Sequence, residues 1–150
     1  MAELAGDQAP PSLELCNSAL RAAPFHRWLN LEVIEIGEKR IKILMPWREE
    51  IVSNPRIGSA HGGILASLID LAGFYVLLLN DQPAAATTTL STDYHRPAVS
   101  GPLFVESRII NTGRQLGAAE SVVRNSDGEL LASGRGLYLL KPQPDSLNIS

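Results

Sequence analysis

The sequence is poor in the residues that mark several large classes of protein. It holds a single cysteine, Cys16, in 150 residues, which excludes an internal disulfide or a thiolate zinc site and favours a reducing, cytoplasmic location. Its 13 basic and 16 acidic residues give a net charge of −3, so no nucleic-acid partner is expected. No apolar run predicts a membrane span, and the first twelve residues lack the basic and apolar regions of a signal peptide.

What remains is the composition of one globular domain, with 45% hydrophobic and 19% charged residues. Residues 1–11, which end in two prolines, are expected to form a loose leader. Residues 12–140 are expected to form a single domain, followed by a frayed tail over 141–150.

Hydrophobic periodicity predicts helices and strands in a distinctive order. A short helix stopped by Pro24, a β-hairpin and a loop over 47–60 precede a helix that is apolar on nearly all sides, and a meander of four strands follows it. The predicted helices are 12–22 and 61–79, and the predicted strands are 31–36, 40–45, 87–94, 103–111, 116–124 and 130–140. The fold class is therefore α+β, with an antiparallel sheet of five to six strands wrapped around one long central helix.

Asp70 is the only charged residue between His61 and Asp81, in the middle of the long apolar helix. A lone buried carboxylate is costly unless it is paired or protonated. It is typical of a catalytic base or nucleophile, although an aspartate that reaches the surface or a subunit interface would also fit.

His61-Gly62-Gly63 stands at the start of the same helix. Two glycines leave the first turn without side chains, so a ligand can approach unpaired backbone N–H groups there. These groups suit a carbonyl oxygen that gains negative charge; the alternative is a loop-to-helix junction that needs close packing. Gly63 and Asp70 are ~10 Å apart along the axis, too far for one reacting carbonyl to meet both, which predicts a homodimer with two composite sites.

The string NPRIGSAHGGILASLIDLAG resembles the hot-dog-fold thioesterases of the PaaI-like (phenylacetate-degradation) branch, and the resemblance spans residues 24–140. It implies a hot-dog fold and hydrolysis of a small-to-medium aryl or aliphatic acyl-CoA. Coenzyme A is then part of the substrate, no separate cofactor is needed, and the assembly is a homodimer that often pairs into a homotetramer.

The resemblance also assigns roles at the helix. Asp70 would be the general base or the nucleophile, and the Gly62 N–H would polarise the thioester carbonyl. Gly63 would shape the turn, and His61 would orient the loop or the substrate.

Two further assignments come from outside the helix. Asn54 corresponds to an upstream asparagine of the family, although it precedes Gly58 by four residues rather than the family's three. A hydroxyl on the strand after the helix assists in some relatives, and either Thr87 or Thr88 could supply it.

Three other residues are candidates for substrate binding. Arg96 and Arg114 could hold the phosphates of coenzyme A, or could be ordinary surface arginines. Phe74, one turn beyond Asp70, could line an acyl pocket or pack the helix against the sheet.

Two other functions stay open, a hot-dog hydratase or dehydratase that uses His61 for proton transfer, and a non-catalytic acyl-CoA-binding module. No metal site is expected, because the three histidines lie far apart in the sequence without a paired ligand motif.

Overall fold

A computed structural model describes residues 9–142 of the protein. The helices are α1 (Leu13–Leu20), α2 (Pro24–Trp28) and α3 (Gly62–Leu78), with a 3-10 turn at Glu49–Ile51. The strands are β1 (Glu32–Gly37), β2 (Arg40–Met45), β3 (Val52–Asn54), β4 (Ser59–Ala60), β5 (Ala84–Tyr94), β6 (Leu103–Thr112), β7 (Leu116–Arg124) and β8 (Leu130–Leu140). Most of the expected leader and tail lies outside the described residues.

Six strands form one antiparallel sheet in the order β1-β2-β6-β7-β8-β5, and α3 packs against one face of it. This confirms the predicted sheet of five to six strands around one long helix. The predicted four-stranded meander is wrong in one respect, since β5 pairs with β8 at the sheet edge and β6 pairs with β2. The eight-residue connection from β5 to β6 contains two prolines and is long enough to cross the end of the sheet.

Two local predictions also need correction. The first helix already ends at Leu20, and Pro24, predicted to stop it, instead begins α2, because the first position of a helix needs no N–H donor. The segment 47–60, predicted as a loop, contains the 3-10 turn and the short β3–β4 hairpin. The N-cap at Ser12 is confirmed, since its hydroxyl accepts a bond from the Leu15 N–H at 3.2 Å.

Helix α3, predicted to be apolar on nearly all sides, is covered by its own chain on one side only. Its core-facing side chains include Leu65, Leu68, Ile69, Ala72 and Val76, all buried. The opposite side is open because the sheet covers only one face of the helix. The residues of this open stripe are Gly63, Ser67, Asp70, Phe74 and Leu78.

None of the helices formed by residues 9–142 has the length and apolar character needed to cross a bilayer.

Candidate active site

Asp70 lies half-buried on the open stripe of α3, where a side chain from β5 holds its carboxylate. The Thr87 hydroxyl donates a hydrogen bond to Asp70 Oδ1 at 2.6 Å. The Thr88 hydroxyl instead donates to the carbonyl oxygen of Leu137 at 3.1 Å. Of the two candidate hydroxyls, only Thr87 therefore contacts the candidate catalytic carboxylate.

Thr87→Ala is expected to lower kcat by about tenfold or more, because a hydrogen bond to a charged group contributes ~1.5–3 kcal/mol and the carboxylate would lose its orientation. Thr88→Ala is the matched control, on the adjacent residue and facing the neighbouring strand. Steady-state kinetics compare the two variants with the wild type. Equal losses in both variants would contradict a specific role for Thr87.

A second strand residue, Tyr138 on β8, contacts the backbone of Asp70. Its hydroxyl donates to the Asp70 carbonyl oxygen at 3.0 Å. Burial, with the negative charge of Asp70 as a smaller cause, raises the pKa of the Tyr138 phenol above its ordinary value, so the hydroxyl stays protonated and able to donate. Sequence reasoning missed Tyr138, although glycines inside α3 and β8 could have indicated a bulky neighbour there.

At the start of α3, His61 is the N-cap and binds the N–H of one of the two glycines. Its Nδ1 accepts a hydrogen bond from the Gly63 N–H at 2.8 Å, which leaves the proton of a neutral ring on Nε2. No group among residues 9–142 accepts a hydrogen bond from the Gly62 N–H. The structure thus leaves Gly62, rather than both glycines, as the available donor to a ligand.

Tyr94, at the end of β5, covers this first turn. Its hydroxyl donates to the Gly62 carbonyl oxygen at 2.9 Å, and a Cβ added to Gly62 would lie 3.1 Å from the Tyr94 ring. Sequence reasoning missed this contact because it joins residues 32 positions apart. Tyr94 fixes the peptide unit whose N–H bonds to His61, so it orients the helix start.

Two further candidate residues, Phe74 and Asn54, lie on different elements, α3 and β3. Phe74 is half-buried, one turn from Asp70, with its ring edge-on to Tyr138 at 6.3 Å between centroids. Asn54 Oδ1 accepts a hydrogen bond from the Arg56 N–H at 3.1 Å within the β3–β4 turn. The Asn54 side chain therefore stabilises the turn in which it lies.

The two candidate phosphate-binding arginines do not meet within one chain. Arg96 is paired with Glu129 at 2.7 Å, near the turn before β8. Arg114 lies in the β6–β7 turn at the other end of the sheet. The length of strand β6 separates these ends by about 30 Å, so one coenzyme A cannot use both arginines of the same chain.

A cavity of about 570 Å³ in the described chain is not lined by Asp70. It lies on the sheet face opposite α3, where alternate strand residues point. Three of its cations pair with carboxylates, as Lys42 does with Glu106 at 3.2 Å, so its lining is strongly charged. Within residues 9–142 no three His, Cys, Asp or Glu side chains gather as metal ligands would.

Comparison with known proteins identifies the family. A model of the thioesterase superfamily matches residues 57–132, the segment from the β3–β4 turn through α3 and into β8. The chain belongs to the thioesterase superfamily. Its hot-dog fold, inferred above from resemblance, is thereby confirmed.

Relatives of the superfamily agree with this assignment. One solved thioesterase-superfamily structure is 43% identical, covers 86% of this chain and 98% of its own, and has a TM-score of 0.82. A protein of Halobacterium salinarum, whose curated name proposes an esterase, is 34% identical over 67% of this chain and 70% of its own. A Streptococcus mutans protein solved with acetyl-CoA bound shares the fold at 19% identity, with a TM-score of 0.69 over 76% of this chain and 92% of its own.

Proposed function

We propose that this thioesterase-superfamily protein is a cytoplasmic acyl-CoA thioesterase of the PaaI-like type that hydrolyses a small-to-medium aryl or aliphatic acyl-CoA to the free acid and coenzyme A. One observation carries the proposal: a carboxylate held by Thr87 and the available Gly62 N–H lie on one helix, α3. The acetyl-CoA bound to the Streptococcus mutans protein supports an acyl-CoA as the ligand class. No separate cofactor takes part.

The proposed chemistry needs an attacking group and an oxyanion donor. Asp70 either removes a proton from water as the water attacks the thioester carbonyl, or attacks that carbon itself and forms an anhydride that water then opens. In both routes the carbonyl oxygen gains negative charge and accepts the Gly62 N–H bond. Collapse of the tetrahedral intermediate breaks the C–S bond, which gives the free acid directly in the first route and the anhydride, before water opens it, in the second. The coenzyme A thiolate takes up the proton that Asp70 removed from water in the first route, and a proton from solvent in the second.

Two copies are needed because one chain separates the two groups. Asp70 lies eight residues beyond Gly62 on α3, which corresponds to ~12 Å along the helix axis. A carbonyl carbon must lie about 3 Å from both the attacking group and the donors. An antiparallel second copy of α3 would bring the Gly62 end of one chain to Asp70 of the other.

The two edges of the sheet differ in a way that supports one site for the proposed second copy. At one edge, the Asn17 side chain bonds to both the N–H and the C=O of Val33 on β1, at 2.7 and 3.0 Å. At the other edge, β5 is mostly exposed along 11 residues and pairs with β8 on one side only among the described strands. Because an open edge of this length invites pairing, we infer that β5 pairs with β5 of a second copy, next to the open stripe of α3. Pairing of two such dimers into a homotetramer is part of the same proposal.

Ser91→Cys tests this dimer. Ser91 is exposed near the middle of β5, so antiparallel pairing centred there places the two introduced thiols close to each other. A short bismaleimide should give a covalent dimer on a denaturing gel. Native Cys16 should not react with it, because Cys16 is buried and burial raises the pKa of its thiol.

Ser126→Cys, in the exposed β7–β8 turn, is the control and should remain monomeric on the gel. Equal cross-linking of the two variants, or none at position 91, would contradict pairing through β5.

The function itself is tested by thiol release from aryl, short-chain and medium-chain acyl-CoAs, with enoyl-CoA hydration assayed in parallel. Cleavage of at least one thioester supports the proposal. Hydration without cleavage would instead identify a hydratase, and saturable acyl-CoA binding without turnover would identify a binding module; either result overturns the proposal.

A further inference from the structure

Two residues that face each other across the β5–β8 ladder hold Asp70 from opposite ends. Thr87 and Tyr138 are directly paired in the register of these strands. Thr87 bonds to the Asp70 carboxylate at 2.6 Å, and Tyr138 bonds to the Asp70 backbone carbonyl at 3.0 Å. One cross-strand pair of residues thus contacts both the side chain and the main chain of Asp70.

The Tyr138 phenol fits in this place only because two glycines make room for it. A Cβ on Gly73 of α3 would lie 2.1 Å from the Tyr138 hydroxyl oxygen, and a Cβ on Gly136 of β8 would lie 2.3 Å from it. Glycine weakens the interior of a helix or a strand. The chain has a glycine in each element at this point, and both flank the same hydroxyl.

We propose that Tyr138 is a positioning residue that sets the rotation of α3 at Asp70, so that the carboxylate meets Thr87 and the attacked carbonyl. The proposal rests on the proposed thioesterase function. It adds a residue that touches neither substrate nor reacting atoms and acts through the backbone of Asp70.

The geometry explains why a backbone contact matters here. A side-chain oxygen lies well outside the Cα radius of a helix, so a rotation of ~10° about the helix axis moves it by about 1 Å. Displacements of that size at a reacting group can lower rates by up to about 100-fold. The hydrophobic contacts of α3 are non-directional, whereas the Tyr138 hydroxyl bond is directional and is made to Asp70 itself.

Tyr138→Phe removes the hydroxyl and keeps the aromatic ring packed against Gly73 and Gly136. We expect kcat for thiol release to fall about tenfold, KM to stay within about twofold, and Tm to change little, because one neutral hydrogen bond contributes modestly to stability. We also expect faster amide hydrogen exchange in α3 around Asp70, measured by mass spectrometry without any substrate.

Tyr75→Phe is the matched control. Tyr75 also lies on α3, half-buried, and its hydroxyl donates to the Ala19 carbonyl oxygen at 3.5 Å, away from Asp70. Its kcat and the exchange around Asp70 should stay at wild-type values.

An unchanged kcat in Tyr138→Phe, or equal losses in the two variants, would overturn the positioning role. If the wild type releases no thiol from any acyl-CoA, the proposed function fails. Hydrogen exchange then tests the positioning role of Tyr138 on its own, and wild-type exchange around Asp70 in Tyr138→Phe would overturn that role.

Discussion

Asp70→Asn is expected to lower kcat for thiol release by about 10²–10⁴-fold, the usual contribution of a positioned acid–base or attacking group, with the fold intact. An amide neither removes a proton from water nor attacks a thioester at a useful rate. The amide oxygen can still accept the Thr87 hydroxyl bond that the carboxylate accepts at 2.6 Å. The variant therefore changes the chemistry of the group with little change in its shape.

Thiol-release kinetics, a melting curve and a sizing column together check this prediction. Asp81→Asn is the matched control, because Asp81 is exposed just beyond α3 at a φ of 60°, a conformation that asparagine also tolerates. This control should retain wild-type kcat. Turnover retained in Asp70→Asn would remove Asp70 from the catalytic role.

The parts of the fold that follow from nearby residues were predictable from the sequence. The long helix and β2, β7 and β8 are placed within a residue or two by local periodicity. Asp70 and the His-Gly-Gly start of α3 were found because a lone charge and paired glycines stand out in an apolar segment. In the structure His61 is the N-cap of that helix.

The contacts around Asp70 were not predictable because they join residues far apart in the sequence. The choice between Thr87 and Thr88 depends on a register shift in β5 between Thr87 and Thr89, which breaks the simple alternation of strand faces. Tyr138 lies 68 residues from Asp70. The edge position of β5, on which the proposed dimer depends, follows from the crossing between β5 and β6, and no local pattern encodes that crossing.

Gly62→Pro is expected to lower kcat by about 10²–10³-fold, the usual loss on removal of one oxyanion donor. Proline at position 62 deletes the one N–H that the chemistry uses. Gly62 is the first residue of α3, the helical position where proline is best tolerated. The preceding residue, His61, has φ −59° and ψ 132°, which is the extended conformation that a following proline requires.

Gly62→Ala isolates the N–H from the added bulk. It places the same Cβ 3.1 Å from the Tyr94 ring but keeps the donor, so it should lose only a few-fold in kcat. Steady-state kinetics of the two variants, with melting curves, give the comparison. Equal kcat values for Gly62→Pro and Gly62→Ala would show that this N–H does not stabilise the oxyanion.

Mixed dimers then test whether the two groups act across the subunit interface. A dimer of one Asp70→Asn chain and one Gly62→Pro chain contains one composite site in which both groups are intact. Random exchange of equal amounts makes half of the dimers mixed, which restores about a quarter of wild-type activity from two nearly inactive parents. If each site were built from one chain, mixing would restore nothing, because every chain carries a defect.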